Sequence, residues 1–162
     1  DWKSKNQNKP GYFSVELIKP ISPLYFDDKK RCICILSSVS LLKILLPDSQ
    51  LNEKIFNSFE MMLDKLDSEN WIQFYIFWEL SLIKELGYEI SFSNNAEIIN
   101  FVTLNDKSFK VPEMISKRKL QKNSPNIKEA LAFNKNLLLE NFIIPNKLKL
   151  PLFRNILEMY YT

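Results

Sequence analysis

Between Ser68 and Gly87 runs WIQFYIFWELSLIKEL, a segment that is apolar around most of its circumference when wound at about 100° per residue. Gln73, Ser81, Lys84 and Glu85 gather on one narrow side. Trp71, Ile72, Tyr75, Trp78, Leu82, Ile83 and Leu86 cover most of the remainder. Such a helix is stable only when buried on several sides, so the chain is expected to fold as helices wrapped around this one. Ser68 is placed to cap its start, and Glu69 puts negative charge in the first turn, where the helix dipole favours it. Gly87 supplies a residue at ease in left-handed geometry at its end.

Glu79 interrupts the apolar face, flanked on the wheel by Ile72, Tyr75, Ile83 and Leu86. A bare carboxylate there would be too costly, so a cationic or hydrogen-bonding partner is required. The arginines are Arg31, Arg118 and Arg154, and any of them fits that role. A structural ion pair is expected rather than a functional acid.

The remaining pattern is mainly helical. Asp27 and Asp28 open a helix expected to reach about Leu46 and to stop at Pro47. A second, about 51–66, carries a stripe of Leu51, Ile55, Phe59, Met62, Leu63 and Leu66 opposite a charged face. After the central helix, Ile98–Leu104 and Ser108–Val111 flank Asn105–Lys107 as a hairpin. Packing of Ile98, Phe101, Val102, Phe109 and Val111 is expected to hold that hairpin. A basic connection, Ser116–Pro125, leads to a long helix with Ser124 as cap and Pro125 in its first turn, ending before Pro145. Leu152, Phe153, Ile156, Leu157 and Tyr160 mark a last amphipathic helix with Pro151 at its start. At the other end, residues 1–5 and 11–19 read as two short extended pieces, the second alternating with period two.

Composition excludes several chemistries. Without histidine, Ser-His-Asp triads and most zinc sites are ruled out. With Gly11 and Gly87 as the two glycines, no P-loop or dinucleotide fingerprint is possible. Cys32 and Cys34 fall on different sides of a helix and read as buried small residues, which suits a reducing cytoplasm. No uncharged run reaches the roughly 18–20 residues needed to span a bilayer, so a soluble protein is expected. The chain starts at Asp1 rather than Met, with no apolar leader after it, and reads as a fragment. Residues 1–31 hold 7 Lys/Arg against 4 Asp/Glu, residues 32–112 hold 6 against 11, and residues 113–162 hold 9 against 4. Basic ends around an acidic middle suit a polyanionic partner.

Four blocks carry a resemblance: GYFSVEL (11–17), WIQFYIFWELSLIKELGYEI (71–90), INFVTLNDKSFKVP (99–112) and EALAFNKNLLLENFI (129–143). In this order and spacing the chain resembles the RecO family of bacterial DNA repair and recombination proteins, of the alphaproteobacterial type. The resemblance implies a mainly α fold. Residues 1–22 would be the last strands of an N-terminal OB-fold barrel, and residues 23–162 a helical C-terminal domain with a β-hairpin at about 98–112. It also implies a non-enzymatic role in the cytoplasm, at the nucleoid. Its partners there would be single-stranded and duplex DNA, RecR, and the acidic C-terminal tail of single-stranded-DNA-binding protein. Many relatives carry a four-cysteine zinc module at the hairpin, whereas residues 91–115 here contain no Cys or His, so neither a metal nor another cofactor is expected.

On this reading Lys3, Lys5, Lys9 and Lys19 would contact phosphates, with Trp2 or Tyr12 available to stack on bases. The same aromatics also fit a core, and the lysines ordinary surface charge. Lys117, Arg118, Lys119 and Lys122 form the densest basic cluster and would hold phosphates or the acidic tail, unless they are a solvated loop. The competing reading is a helical protein-interaction module with no nucleic-acid role. An enzyme is poorly supported, because Glu60/Asp64 and Glu85/Glu89 fall on exposed helical faces.

Overall fold

The computed structural model describes residues 2–3, 11–16, 20–88, 101–117, 119–120 and 126–161. In chain order the elements are β1 (Trp2–Lys3), β2 (Tyr12–Phe13), a 3-10 turn (Ser22–Tyr25), α1 (Lys29–Leu45), α2 (Glu53–Asp64) and α3 (Trp71–Glu85). There follow β3 (Phe101–Leu104), β4 (Lys107–Lys110), a one-turn α4 (Glu113–Ser116), α5 (Ile127–Leu138) and α6 (Leu152–Met159). The fold is mainly α, and among the described residues it has two small antiparallel strand pairs, β1–β2 and β3–β4.

Helix α3 is the centre, as its composition requires. Trp71, Ile72, Tyr75, Ile76, Trp78, Leu82 and Ile83 are all buried. Helices α2 and α5 pack on it, and α6 lies along α1 and touches α5. Phe59 of α2 meets Trp78 with ring centroids 5.7 Å apart. On the α5 side, the buried Asn134 amide donates to the Ile76 carbonyl at 2.9 Å, which fixes the register of α5 against α3. Gln73, expected on a polar stripe, is buried as well. Its amide donates to Asn70 Oδ1 at 3.2 Å.

The helix ends show where local chemistry decides and where it does not. Asp28 caps α1 by accepting from the Arg31 amide at 3.0 Å, and Pro47 follows its end. Ser68, expected to cap α3, does not. The chain turns twice before α3, so the Ser68 hydroxyl donates back to the Lys65 carbonyl at 2.8 Å, and the helix begins at Trp71 after Asn70. At the other end Gly87 has φ +99°. Gly87 N–H donates to Lys84 O at 2.9 Å and Tyr88 N–H to Ile83 O at 3.1 Å, the paired bonds of a Schellman motif.

Other element boundaries lie a few residues from where the sequence pattern puts them. The α5 cap is Asn126, which accepts from the Glu129 amide at 3.1 Å, rather than Ser124, which lies outside the described residues. Leu138 passes into a π-helical turn, Leu139–Ile143, instead of a continuous α-helix. In the hairpin Asn105 and Asp106 both have positive φ, 46° and 64°, so a two-residue turn suffices and Lys107 joins β4. Val102 and Phe109 lean on the core and Leu104 and Val111 are buried, but Phe101 is exposed. Phe101 alternates onto the outward face with Thr103, Ser108 and Lys110. Ile98 lies outside the described residues. Leu51 precedes α2 instead of belonging to its stripe and is 89% exposed. In α6 the inward face is Arg154 and Leu157, while Leu152 and Tyr160 face outward.

Candidate functional site

Glu79 and Arg154 meet in the interior, both with 0% exposure. Arg154 Nε donates to Glu79 Oε1 at 2.5 Å and Nη2 to Oε2 at 3.1 Å, a fork-to-fork pair. Nη2 also donates to the Leu131 carbonyl at 2.7 Å. Tyr75 donates its phenol proton to Glu79 Oε1 at 3.0 Å, and Ser37 Oγ lies 2.9 Å from that phenol. Further out, Glu158 Oε2 stands 3.6 Å from Arg154 Nη1 and 3.1 Å from Lys135 Nζ. One polar network thus joins α1, α3, α5 and α6. Burial works against the charge on Arg154, but Glu79, Tyr75 and Glu158 together outweigh it and hold the guanidinium above its ordinary pKa. Burial, reinforced by Glu79, raises the Tyr75 phenol well above its ordinary value. The Glu79–Arg154 pair at the centre of this network is closed to solvent, while Lys135 and Glu158 at its edge are partly exposed.

Surface charge offers a different kind of site. In the β1–β2 pair Trp2 lies opposite Phe13 and Lys3 opposite Tyr12. Directly opposed residues share a face of the ladder. Lys3 is exposed and Tyr12 is 64% exposed, so a cation and an aromatic ring stand side by side in solvent. Of Trp2 only the backbone pairing is described, and Lys5, Lys9 and Lys19 lie outside the described residues.

The second predicted cluster is partly offset. Lys117, at the end of α4, pairs with Glu113 one turn earlier, and its hydrogen bond holds the Glu113 carboxyl below its ordinary pKa. Lys119 is exposed, while Arg118 and Lys122 lie outside the described residues. A further contact had no sequence signal. Glu140, in the π-helical turn, accepts from Lys107 Nζ at 2.5 Å and from Asn105 Nδ2 at 3.2 Å, fastening the hairpin tip to the end of α5. Likewise, Lys30 Nζ lies over the rings of Tyr160 (5.9 Å) and Tyr161 (5.1 Å), side chains some 130 positions away in the sequence. Among the described residues no three His, Cys, Asp or Glu side chains converge to hold a metal ion. No helix among them is long and apolar enough to cross a membrane.

Residues 27–143 match the family described as recombination protein O C terminal. A DNA repair protein RecO of Wolbachia sp. subsp. Drosophila simulans is 30% identical over 98 residues, 59% of this chain and 41% of that protein. The RecO of Ehrlichia chaffeensis is 29% identical over 109 residues, 63% of this chain and 45% of the relative. That of Jannaschia sp. is 27% identical over 95 residues. The chain therefore spans less than half the length of these relatives. No solved structure matches it. A family match across most of the helical region, on a fold centred where the tryptophan-rich segment demanded, places this chain in the RecO family.

Proposed function

We infer that the chain is the helical part of a DNA repair and recombination mediator that performs no bond chemistry itself. It binds single-stranded and duplex DNA, helps complementary strands anneal, and works with RecR. Together they load RecA onto single strands coated by single-stranded-DNA-binding protein, whose acidic tail docks on the mediator. Residues 1–22 serve as the tail of an OB-fold barrel and residues 23–162 as the helical domain. The observation that carries this reading is the family match over residues 27–143.

Two local features support it. Lys3 beside the exposed Tyr12 is the pairing that single-strand grooves use, a cation for phosphate and a ring for a base. Trp2, Lys5 and Lys9 extend the same segment. Lys119, with Lys117, Arg118 and Lys122, offers a second basic stretch for phosphates or for the acidic tail. The test is a gel-shift series on single-stranded DNA in rising salt, with Lys3→Ala/Tyr12→Ala and with the Lys117, Arg118, Lys119, Lys122 alanine set. Retardation at low salt that weakens in both variants is expected. No retardation at low salt would overturn the reading.

A further inference from the structure

An apolar groove of about 390 Å³ opens between the C-terminal end of α1 and the start of α2. Leu42, Leu46 and Pro47 form one wall, and Leu51, Ile55, Phe56 and Phe59 the other. Its volume falls within the range of clefts that receive ligands, roughly 300–1,000 Å³. Leu51 is 89% exposed and Phe56 59% exposed at its mouth. Along α1, Val39 lies on the same stripe as Leu46 and is 48% exposed, so the apolar surface continues as a track beyond the groove.

The rim has a sign. Glu53 lines the groove, and Glu60 falls on the same stripe of α2 as Glu53 and Phe56. Asp48 sits in the connecting loop beside Pro47. Among the described residues none of these three acids is ion-paired, and all are exposed. Of the two nearby cations, Lys54 is drawn to Glu85 of α3 at 3.7 Å, which leaves Lys43 of α1 against three carboxylates. The groove is apolar inside and anionic around it.

We propose that this groove is the docking site for an amphipathic helix of a protein partner, with aliphatic side chains on one face and Lys or Arg on the other. Apolar anchors at i, i+3, i+4 and i+7 enter between α1 and α2, as helices do in grooves. The basic face lies over Asp48, Glu53 and Glu60, which sets on-rate and selectivity. An acidic segment meets the same apolar walls but is repelled by the rim. This site is distinct from the DNA-binding surfaces inferred above, and its occupant is of a different chemical class.

The experiment is fluorescence anisotropy with two labelled model helices that share one Leu face, one carrying Lys on its polar face and the other Glu. The intact chain is titrated against each at low and high salt. The expected result is that the Lys helix binds, the Glu helix does not, and added salt weakens the binding. Leu51→Ser/Phe56→Ser should weaken it about tenfold or more, because exposed apolar anchors dominate such interfaces. Glu53→Lys/Glu60→Lys should weaken it similarly and admit the Glu helix. All four positions are solvent-facing, so circular dichroism should confirm that each variant folds. Equal or tighter binding of the Glu helix, binding of neither helix, or indifference to both variants would overturn the proposal. So would self-association of the chain that Leu51→Ser/Phe56→Ser abolishes. Gel shifts with DNA should be unchanged in these variants, which separates failure here from failure of the DNA-binding reading.

Discussion

Arg154 grips Glu79 through two hydrogen bonds, of 2.5 and 3.1 Å, at a place where neither side chain touches water. Removing one partner leaves the other charge buried alone. Arg154→Met is expected to destabilise the fold by about 3–5 kcal/mol. Glu79→Leu with Arg154→Met should cost much less, since a well-packed apolar pair is often neutral or better in such a position. Urea unfolding of the two variants against the parent measures the difference. Equal losses would show that packing of α6, not the charge pair, dominates.

Gly87 at φ +99° has open space where a Cβ would stand, with nothing within 4 Å. Any cost of Gly87→Ala therefore comes from backbone strain rather than collision. A loss of about 1–2 kcal/mol is expected, and Gly87→Asn should lose less, because Asn tolerates the left-handed region better. Thermal or urea midpoints of the two variants check the order.

The hairpin tip should respond to acid. Lys107, and then Asn105, hold the Glu140 carboxyl below its ordinary pKa. A carboxyl whose folded pKa is depressed contributes stability that is present above its unfolded value and is lost as pH falls through the folded value. Amide exchange at Val102 and Phe109, the hydrogen-bonded pair two residues from the turn pair, should therefore quicken relative to α3 on acidification. In Glu140→Gln that extra step should vanish, with exchange already fast at neutral pH.

Lys117 is held by Glu113 in the free protein. If the basic stretch around it meets DNA, Glu113→Gln releases that cation. The variant should bind single-stranded DNA more tightly. Lys117→Ala should flatten the log–log salt dependence by about 0.7 for the lost phosphate contact. Salt titrations of the three proteins decide it.

Much of the architecture was legible because it rests on local rules. Asp28 and Pro47 bracket α1 and Gly87 ends α3, each through its own backbone preferences, and the turn at Asn105 was legible in place though one residue tighter than Asn105–Lys107. The requirement that Glu79 have a partner was legible too, but choosing among three arginines was not. Arg154 lies 75 residues away and is selected by how α6 packs, which no short-range pattern encodes. Ser68 and Leu51 failed for a related reason. Turn chemistry before α3 claimed the hydroxyl, and the loop after Pro47 carried the leucine outward, so propensity yielded to the path of the chain. Of the basic sites, the opposition of Lys3 and Tyr12 follows from strand register. The neutralising reach of Glu113 depends on α4, a single turn too short to announce itself.

The wide separation of Glu79 and Arg154 also bears on how the chain comes off the ribosome. At roughly 5–20 residues per second, the 75 positions from Glu79 to Arg154 take about 4–15 s to synthesise. Throughout that interval the carboxylate of α3 lacks the guanidinium that grips it in the finished fold, so the tryptophan-rich helix cannot reach its final packing around that pair. Final closure of the core therefore awaits a latecomer, the helix α6 that brings Arg154.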